Sequence, residues 1–140
     1  MVEVSVVIPT KNEEASIGTC IEKVQRVFTT HHIDGEIVVA DNSTDNTPEI
    51  AKRPGVRVVV PDEHGYGNAY RFGFARASGD CVVMGDGDDT YDFMDIPGLL
   101  EPLKRGIGHR LTLSAICEAS SGEGINTDLK NEHLNKGAEA

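Results

Sequence analysis

The densest chemistry in the chain is Asp86-Gly87-Asp88-Asp89-Thr90, which follows the short apolar run Cys81 to Met84. Two carboxylates one residue apart at the end of a buried strand can both face a cleft if the chain turns there, and Gly85 and Gly87 permit such a turn. Like charges this close repel, so the arrangement becomes favourable when a cation sits between or beside them. All-oxygen ligands suit Mg²⁺ or Mn²⁺ rather than zinc, which makes Asp86 and Asp88 candidate metal ligands. The plain alternative is an exposed acidic loop that caps the following helix. A calcium EF-hand is excluded, because Tyr91 stands where that loop needs glycine and Pro97 where it needs its last glutamate.

The elements that must position this cluster are legible as alternating strands and helices. Val4 to Pro9 is a β-branched apolar run that reads as a buried strand. After a polar loop, Ile17, Cys20, Ile21, Val24, Val27 and Phe28 recur at helical spacing. Ile37 to Ala40 is a second strand, and Thr47-Pro48-Glu49 a helix start with a cap, a proline and an acid near the positive dipole end. Val56 to Val60 is a third strand, Asn68 to Ala77 a helix, Cys81 to Met84 a fourth strand, and Ile96 to Leu103 a further helix. Strands that are continuous apolar runs signal a parallel sheet covered on both faces. In such sheets ligands sit beyond the carboxyl ends of the strands, where every polar cluster of this chain falls. The expected fold is therefore α/β, a Rossmann-like, mostly parallel sheet with helices on both faces.

The balance of 13 Lys and Arg against 23 Asp and Glu gives a net charge of −10. That argues against a nucleic-acid partner, which calls for a basic stripe, and against simple electrostatic docking on anionic lipid. An anionic ligand needs a metal ion or helix N-termini to offset the charge. Cys20, Cys81 and Cys117 are odd in number and far apart, with no CxxC. A disulfide framework or zinc site is not expected, and a reducing cytoplasm fits. The N-terminus has no basic region and reads straight into a strand, so no secretory signal is expected. No apolar run approaches the roughly 18 residues of a membrane span.

Four segments, in order, carry a resemblance. Val6-Val7-Ile8-Pro9-Thr10-Lys11-Asn12-Glu13-Glu14 resembles an opening strand with a P-x-x-N-E turn. Val39 to Thr47 resembles D-D-G-S-T-D-G-T, and Gly65-Tyr66-Gly67-Asn68-Ala69 with Gly73 resembles a G-x-G-x-A turn and helix. Asp86-Gly87-Asp88 resembles the DXD motif, continued by Asp89-Thr90-Tyr91-Asp92. Together they look like family 2 glycosyltransferases of the GT-A fold, similar to dolichol-phosphate mannose or glucose synthases. The sequence departs from the pattern where Ala40 replaces the first aspartate of the second motif and Asn42 its glycine, leaving Asp41 as the carboxylate for the nucleotide. Past Lys104 the family has another strand ending in I-G-S-R. Here Lys104-Arg105-Gly106 runs at once into Ile107-Gly108-His109-Arg110, as if that strand were deleted.

The resemblance implies transfer of a sugar, with inversion, from a UDP- or GDP-linked donor, and a polyprenyl phosphate as acceptor at the cytoplasmic face of a membrane. It implies a nucleotide-binding region over residues 1–106. Pro9 and Thr10 shape the base pocket, Glu13 takes a ribose hydroxyl and Asp41 a base N–H. Asp88 binds Mg²⁺ or Mn²⁺ directly, and Asp86 shares the metal or binds the ribose. No catalytic base stands in the matched region; the resemblance assigns it to the acceptor half. Residues 107–140 read as a divergent, loosely ordered tail, in which Leu111 to Ile116 fits a strand or a helix turn and the stretch from Ala119 on is largely Gly, Ser, Asn, Glu and Lys, and an unclosed sheet edge invites self-association. Two alternatives stand beside this. One is a nucleotide-sugar-binding protein without catalysis. The other is a haloacid-dehalogenase-type phosphatase, whose D-x-D-x-T motif would make Asp86 the nucleophile and Asp88 the acid–base. That motif normally follows the first strand, not the fourth.

Overall fold

The computed structural model describes residues 2–88, 93–104 and 114–117. Strand β1 (Val4–Thr10) is buried along its whole length, as a run of valine and isoleucine must be when both faces are covered. It pairs in parallel with β2 (Gly35–Asp41) on one side and β4 (Cys81–Met84) on the other. β3 (Val56–Val59) adds in parallel outside β2, and β5 (Ser114–Cys117) pairs antiparallel with β4, giving the order β3-β2-β1-β4-β5. The four expected strands are all present, and the sheet is mostly parallel.

The period of two along the strands divides the core. Val4, Val6 and Ile8, with Ile37, Val39 and Val83, pack against Ile17, Cys20, Ile21, Val24 and Val27 of α1 (Ile17–Thr30) and against Phe93, Ile96 and Leu100. The last three belong to a 3₁₀ turn (Phe93–Asp95) and to α4 (Ile96–Lys104). On the opposite face Val7, Val38, Val82 and Met84 pack against Phe74 of α3 (Tyr66–Arg76). A short α2 (Thr47–Ala51) rests beside α1. Thr47, expected as its cap, is instead the first helical residue. It is fully buried, and its hydroxyl accepts the Glu13 N–H at 2.9 Å.

Two findings bear on the tail and the cysteines. Ser114–Cys117, inside the expected tail, forms β5, which takes the strand reading of Leu111 to Ile116 over the helix turn; the rest of residues 105–140 lies outside the described residues. Cys20 is free and buried, whereas Cys81 is disulfide-bonded, and its partner across the β4–β5 register is Cys117. Wide sequence spacing concealed that two strands bring these positions opposite each other.

Gly73 explains the close approach of α3 to the sheet. A Cβ there would lie 2.7 Å from Val7 Cγ1 and 3.4 Å from Ala40 Cβ. Val7 is fully buried and has no room to withdraw. Gly73→Ala is expected to cost about 1–3 kcal/mol by overpacking, outweighing the better helix propensity of alanine. In contrast, Gly67→Ala, with nothing within 4 Å, is expected to be neutral or slightly stabilising. Urea unfolding followed by circular dichroism compares the two.

Candidate functional site

The carboxyl ends of β1, β2 and β4 open into one cleft of about 230 Å³. Pro9, Thr10, Lys11 and Glu13 line it from the end of β1, Asn42 from the end of β2, Asp86 and Asp88 from the end of β4. His64, Gly65, Tyr66 and Ala69 close it from the loop before α3 and from its first turn. The sequence-predicted residues Pro9, Thr10, Glu13, Asp86 and Asp88 thus share one cavity. Asp41 is not among its lining residues. It is 4% exposed, its Oδ1 accepts the hydroxyls of Thr10 (2.7 Å) and Ser43 (2.5 Å), and its Oδ2 accepts the Ser43 N–H (3.2 Å).

These bonds fix the loops to one another. Asn12 has φ +58°, a left-handed conformation that asparagine tolerates better than most residues. Its N–H donates to Ser43 Oγ at 2.8 Å, and its Oδ1 accepts the Thr44 N–H at 2.9 Å. The turn after β1 is thereby clamped to the loop after β2, and Glu13 is held at the mouth of the cleft.

The acidic turn forms where the sequence expects it, at Gly87 and Asp88. Neither Gly85 nor Gly87 has positive φ. Gly87 is needed because a Cβ there would lie 2.8 Å from Thr10 Cγ2 and 3.3 Å from both Ile8 Cγ2 and Ile17 Cδ1. Its carbonyl accepts the Ser16 hydroxyl at 2.6 Å. The glycine lets the turn press onto β1 and α1, which leaves the flanking Asp86 and Asp88 in the cleft. Asp89, Thr90, Tyr91 and Asp92 lie outside the described residues.

Sequence reasoning missed Tyr70. Its hydroxyl donates to Asp86 Oδ1 at 2.9 Å and lies 3.1 Å from the hydroxyl of Tyr66, whose ring it meets edge-on. The only signal was two tyrosines four apart on a helix whose start faces the cleft. His64 also lines the cleft, and Arg71 bonds to Asn68 Oδ1 on the surface.

Charge is strained in this cleft. Burial, then Asp88, then Glu13 push the Asp86 carboxyl up to about 6. Burial, then Asp88 and Asp45, raise Glu13. A divalent cation relieves such repulsion, and the donor set fits Mg²⁺ or Mn²⁺. Among the described residues no group of three or more His, Cys, Asp or Glu converges as a complete metal cage. Two carboxylates suit an ion that keeps waters and takes substrate phosphates as its remaining ligands.

The glycosyl transferase family 2 model matches residues 5–112, which spans all four strands of the parallel sheet and the whole cleft. The chain belongs to that family. It is 52% identical over 102 residues to the low-salt glycan biosynthesis hexosyltransferase Agl6 of Haloferax volcanii, covering 73% of this chain and 25% of that protein. It is 35% identical over 119 residues to a dolichyl-phosphate hexose transferase of the same organism, covering 81% of this chain and 50% of the relative. The structure superposes, with TM-score 0.62 and 35% identity, on glucosyl-3-phosphoglycerate synthase from Mycobacterium tuberculosis in complex with Mn²⁺, UDP and phosphoglyceric acid. That match covers 72% of this chain and 38% of the synthase. The fold is thus the nucleotide-binding part of the GT-A architecture, and the chain spans between a quarter and a half of the curated relatives just described. Membership of family 2 sets the phosphatase alternative aside, and among the described residues no helix is long and apolar enough to cross a membrane.

The raised Asp86 carboxyl gives a pH dependence with a definite sign. Its proton is held more tightly in the folded chain than in the unfolded one, so Asp86 costs no stability below its ordinary value of 3.8 and costs progressively more as pH rises to about 6. The metal-free chain is expected to lose thermal stability across that interval. Asp86→Asn should flatten the profile and raise the melting temperature at pH 7. Thermal unfolding at pH 4 to 8 in the presence of a chelator checks both.

Proposed function

We propose that this chain is the donor-binding part of an inverting glycosyltransferase that uses a nucleoside-diphosphate hexose and Mg²⁺ or Mn²⁺, with a polyprenyl phosphate as acceptor. The observation that carries the reading is the meeting of Asp86, Asp88 and Glu13 with Pro9 and Thr10 in one cleft at the carboxyl ends of three parallel strands. The two Haloferax volcanii relatives, a hexosyltransferase and a dolichyl-phosphate hexose transferase, support a hexose as the transferred group and a dolichyl phosphate as acceptor. The complex of the structural neighbour supports Mn²⁺ beside a nucleoside diphosphate.

In this reading Pro9 and Thr10 form a wall of the base pocket and Glu13 accepts a ribose hydroxyl. Asp88 holds the metal, and Asp86, fixed by the Tyr70 hydroxyl, shares the metal or takes the ribose. A bound divalent cation neutralises the charge that develops on the departing diphosphate. The acceptor oxygen forms a bond to the anomeric carbon from the face opposite the diphosphate. The carbon–oxygen bond to the β-phosphate breaks, and its electron pair leaves with the nucleoside diphosphate. A phosphate acceptor is already anionic at neutral pH, so its attack needs no strong base, in keeping with the lack of a base candidate among the matched residues. The buried Asp41 holds Thr10 and Ser43 in place. We place the chain peripherally at the cytoplasmic face of a membrane because a polyprenyl-phosphate acceptor would lie there; neither the net charge of −10 nor the disulfide-bonded Cys81 adds to that placement.

Two outcomes are expected. In calorimetry, Mn²⁺ should strengthen nucleoside-diphosphate binding by at least about tenfold, a gain of roughly 1.4 kcal/mol. Asp88→Ala should abolish that gain while leaving metal-free binding in place; binding indifferent to Mn²⁺ would sink the metal role. The 140-residue chain, incubated with UDP-glucose or GDP-mannose, dolichyl phosphate and Mn²⁺, should transfer sugar poorly, because much of the rate comes from holding donor and acceptor in line. Rapid formation of a glycosyl-phosphoryl lipid would overturn this.

A further inference from the structure

We propose that Tyr70 is a positioning residue of this site and that Tyr66 acts through it: a chain of two phenol hydroxyls orients the Asp86 carboxylate and leaves its other oxygen for the metal-bound ligand. The inference rests on the cleft being a metal and nucleotide site, as argued above. Tyr70 is not among the residues that line the cleft, whereas Tyr66 and Asp86 are. Its ring packs instead on the core of Val7, Val38, Phe74, Val82 and Met84. One turn further on, Gly73 lets α3 sit tightly on Val7 and Ala40, so the ring stands on a fixed base. From that base the Tyr70 hydroxyl donates to Asp86 Oδ1 at 2.9 Å.

The direction of the chain follows from proton count. A phenol carries one proton, and Tyr70 gives its own to Asp86. In the 3.1 Å contact between the two hydroxyls, Tyr66 is therefore the donor and Tyr70 the acceptor. Tyr66 lies four residues earlier, on the same face of α3, and the two rings meet edge-on with centroids 4.8 Å apart. Hydrogen bonds in series polarise one another, so accepting from Tyr66 makes Tyr70 the stronger donor. The force this chain opposes is charge. Asp88 and Glu13 repel Asp86, and a carboxylate without a tether turns away from them, which is also away from any cation they share. A hydrogen bond to one carboxylate oxygen holds the group in orientation without removing its charge. Loss of such an outer partner typically costs about ten- to a hundredfold in metal affinity.

Calorimetry of the full chain tests this, with Mn²⁺ titrated into protein saturated with UDP or GDP, whichever binds tighter. Tyr70→Phe keeps the ring and its packing and is expected to weaken Mn²⁺ by about tenfold. Tyr66→Phe removes only the brace and is expected to weaken it by about two- to threefold. The two losses should not add: in a Tyr70→Phe chain, Tyr66→Phe should change Mn²⁺ affinity by less than about 1.5-fold, because the brace has nothing left to act on. Titration of the nucleotide in a chelator separates positioning from packing. A loss of the same size with and without Mn²⁺ overturns the proposal, as does an unchanged Mn²⁺ affinity in Tyr70→Phe. Additive losses mean that Tyr66 touches the ligand directly, and they overturn the relay. Melting temperatures show whether the variants fold. If Tyr70→Phe does not, Tyr66→Phe still decides, since Tyr66 is 57% exposed; an Mn²⁺ affinity that it leaves unchanged overturns the relay. Failure of the unaltered chain to bind Mn²⁺ with nucleotide overturns the proposed metal site itself and this inference with it.

Discussion

The constraint on which the rest depends is the burial of β1 on both faces. A strand hydrogen-bonded on two sides and covered above and below has no lateral outlet for polar chemistry. Its seven residues are all buried, so an open polar cleft forms beyond its carboxyl end and not along it. β2 runs parallel to it and ends level with it, Thr10 opposite Asp41, whereas β4 stops opposite Val7, three residues short. The cleft is the consequence: the chain leaves β4 early, and Asp86 and Asp88 come to line the same cavity as Thr10 and Asn42. The alternation along β1 assigns the covering helices, with Val4, Val6 and Ile8 towards α1 and Val7 towards α3. Both helices then lead away from the cleft or into it.

Convergence of acidic loops is itself destabilising, and the surrounding structure holds it in place. Gly87 lets the acidic turn pack on Thr10 and Ile17, Ser16 binds its carbonyl, and Tyr70 bonds Asp86. The Asn12–Thr44 and Glu13–Thr47 bonds tie the loop after β1 to the one after β2. None of these groups cancels negative charge. They fix geometry at a site whose electrostatics remain unfavourable until a cation arrives, which is how a binding site stores preorganisation in place of stability.

What was legible in the sequence follows period and composition. The buried strands were visible because β-branched runs bounded by polar loops have few other uses, and α1 because Ile17, Cys20, Ile21, Val24 and Val27 recur on one face. The cleft residues Glu13, Asp86 and Asp88 were visible because strand order alone sends them to one end of a parallel sheet. What escaped depends on side-chain direction and long-range register. Successive residues at a strand's end point to opposite sides, so whether Asp41 or Asn42 lines the cleft turns on a single-residue register that motif matching does not resolve. Gly87 looked like a turn residue and is one; its close packing on Thr10, Ile8 and Ile17 was not visible. Cys81 and Cys117 are 36 positions apart in sequence and meet only through the antiparallel register of β4 and β5. Tyr70 acts through a helix face aimed at the end of β4, and no local pattern announces that.

Charge strain and ligand binding are thermodynamically one property of this cleft. A divalent ion gains most where carboxylates repel most, and a diphosphate approaching Asp86, Asp88 and Glu13 unaided meets three acidic groups. Under the proposed function each ligand therefore removes the obstacle to the other. The metal converts an anion-repelling end of the cleft into an anion-binding one, and the diphosphate supplies the oxygen ligands that two carboxylates leave missing. Linkage requires the coupling to be reciprocal: the factor by which metal strengthens nucleotide binding is the factor by which nucleotide strengthens metal binding.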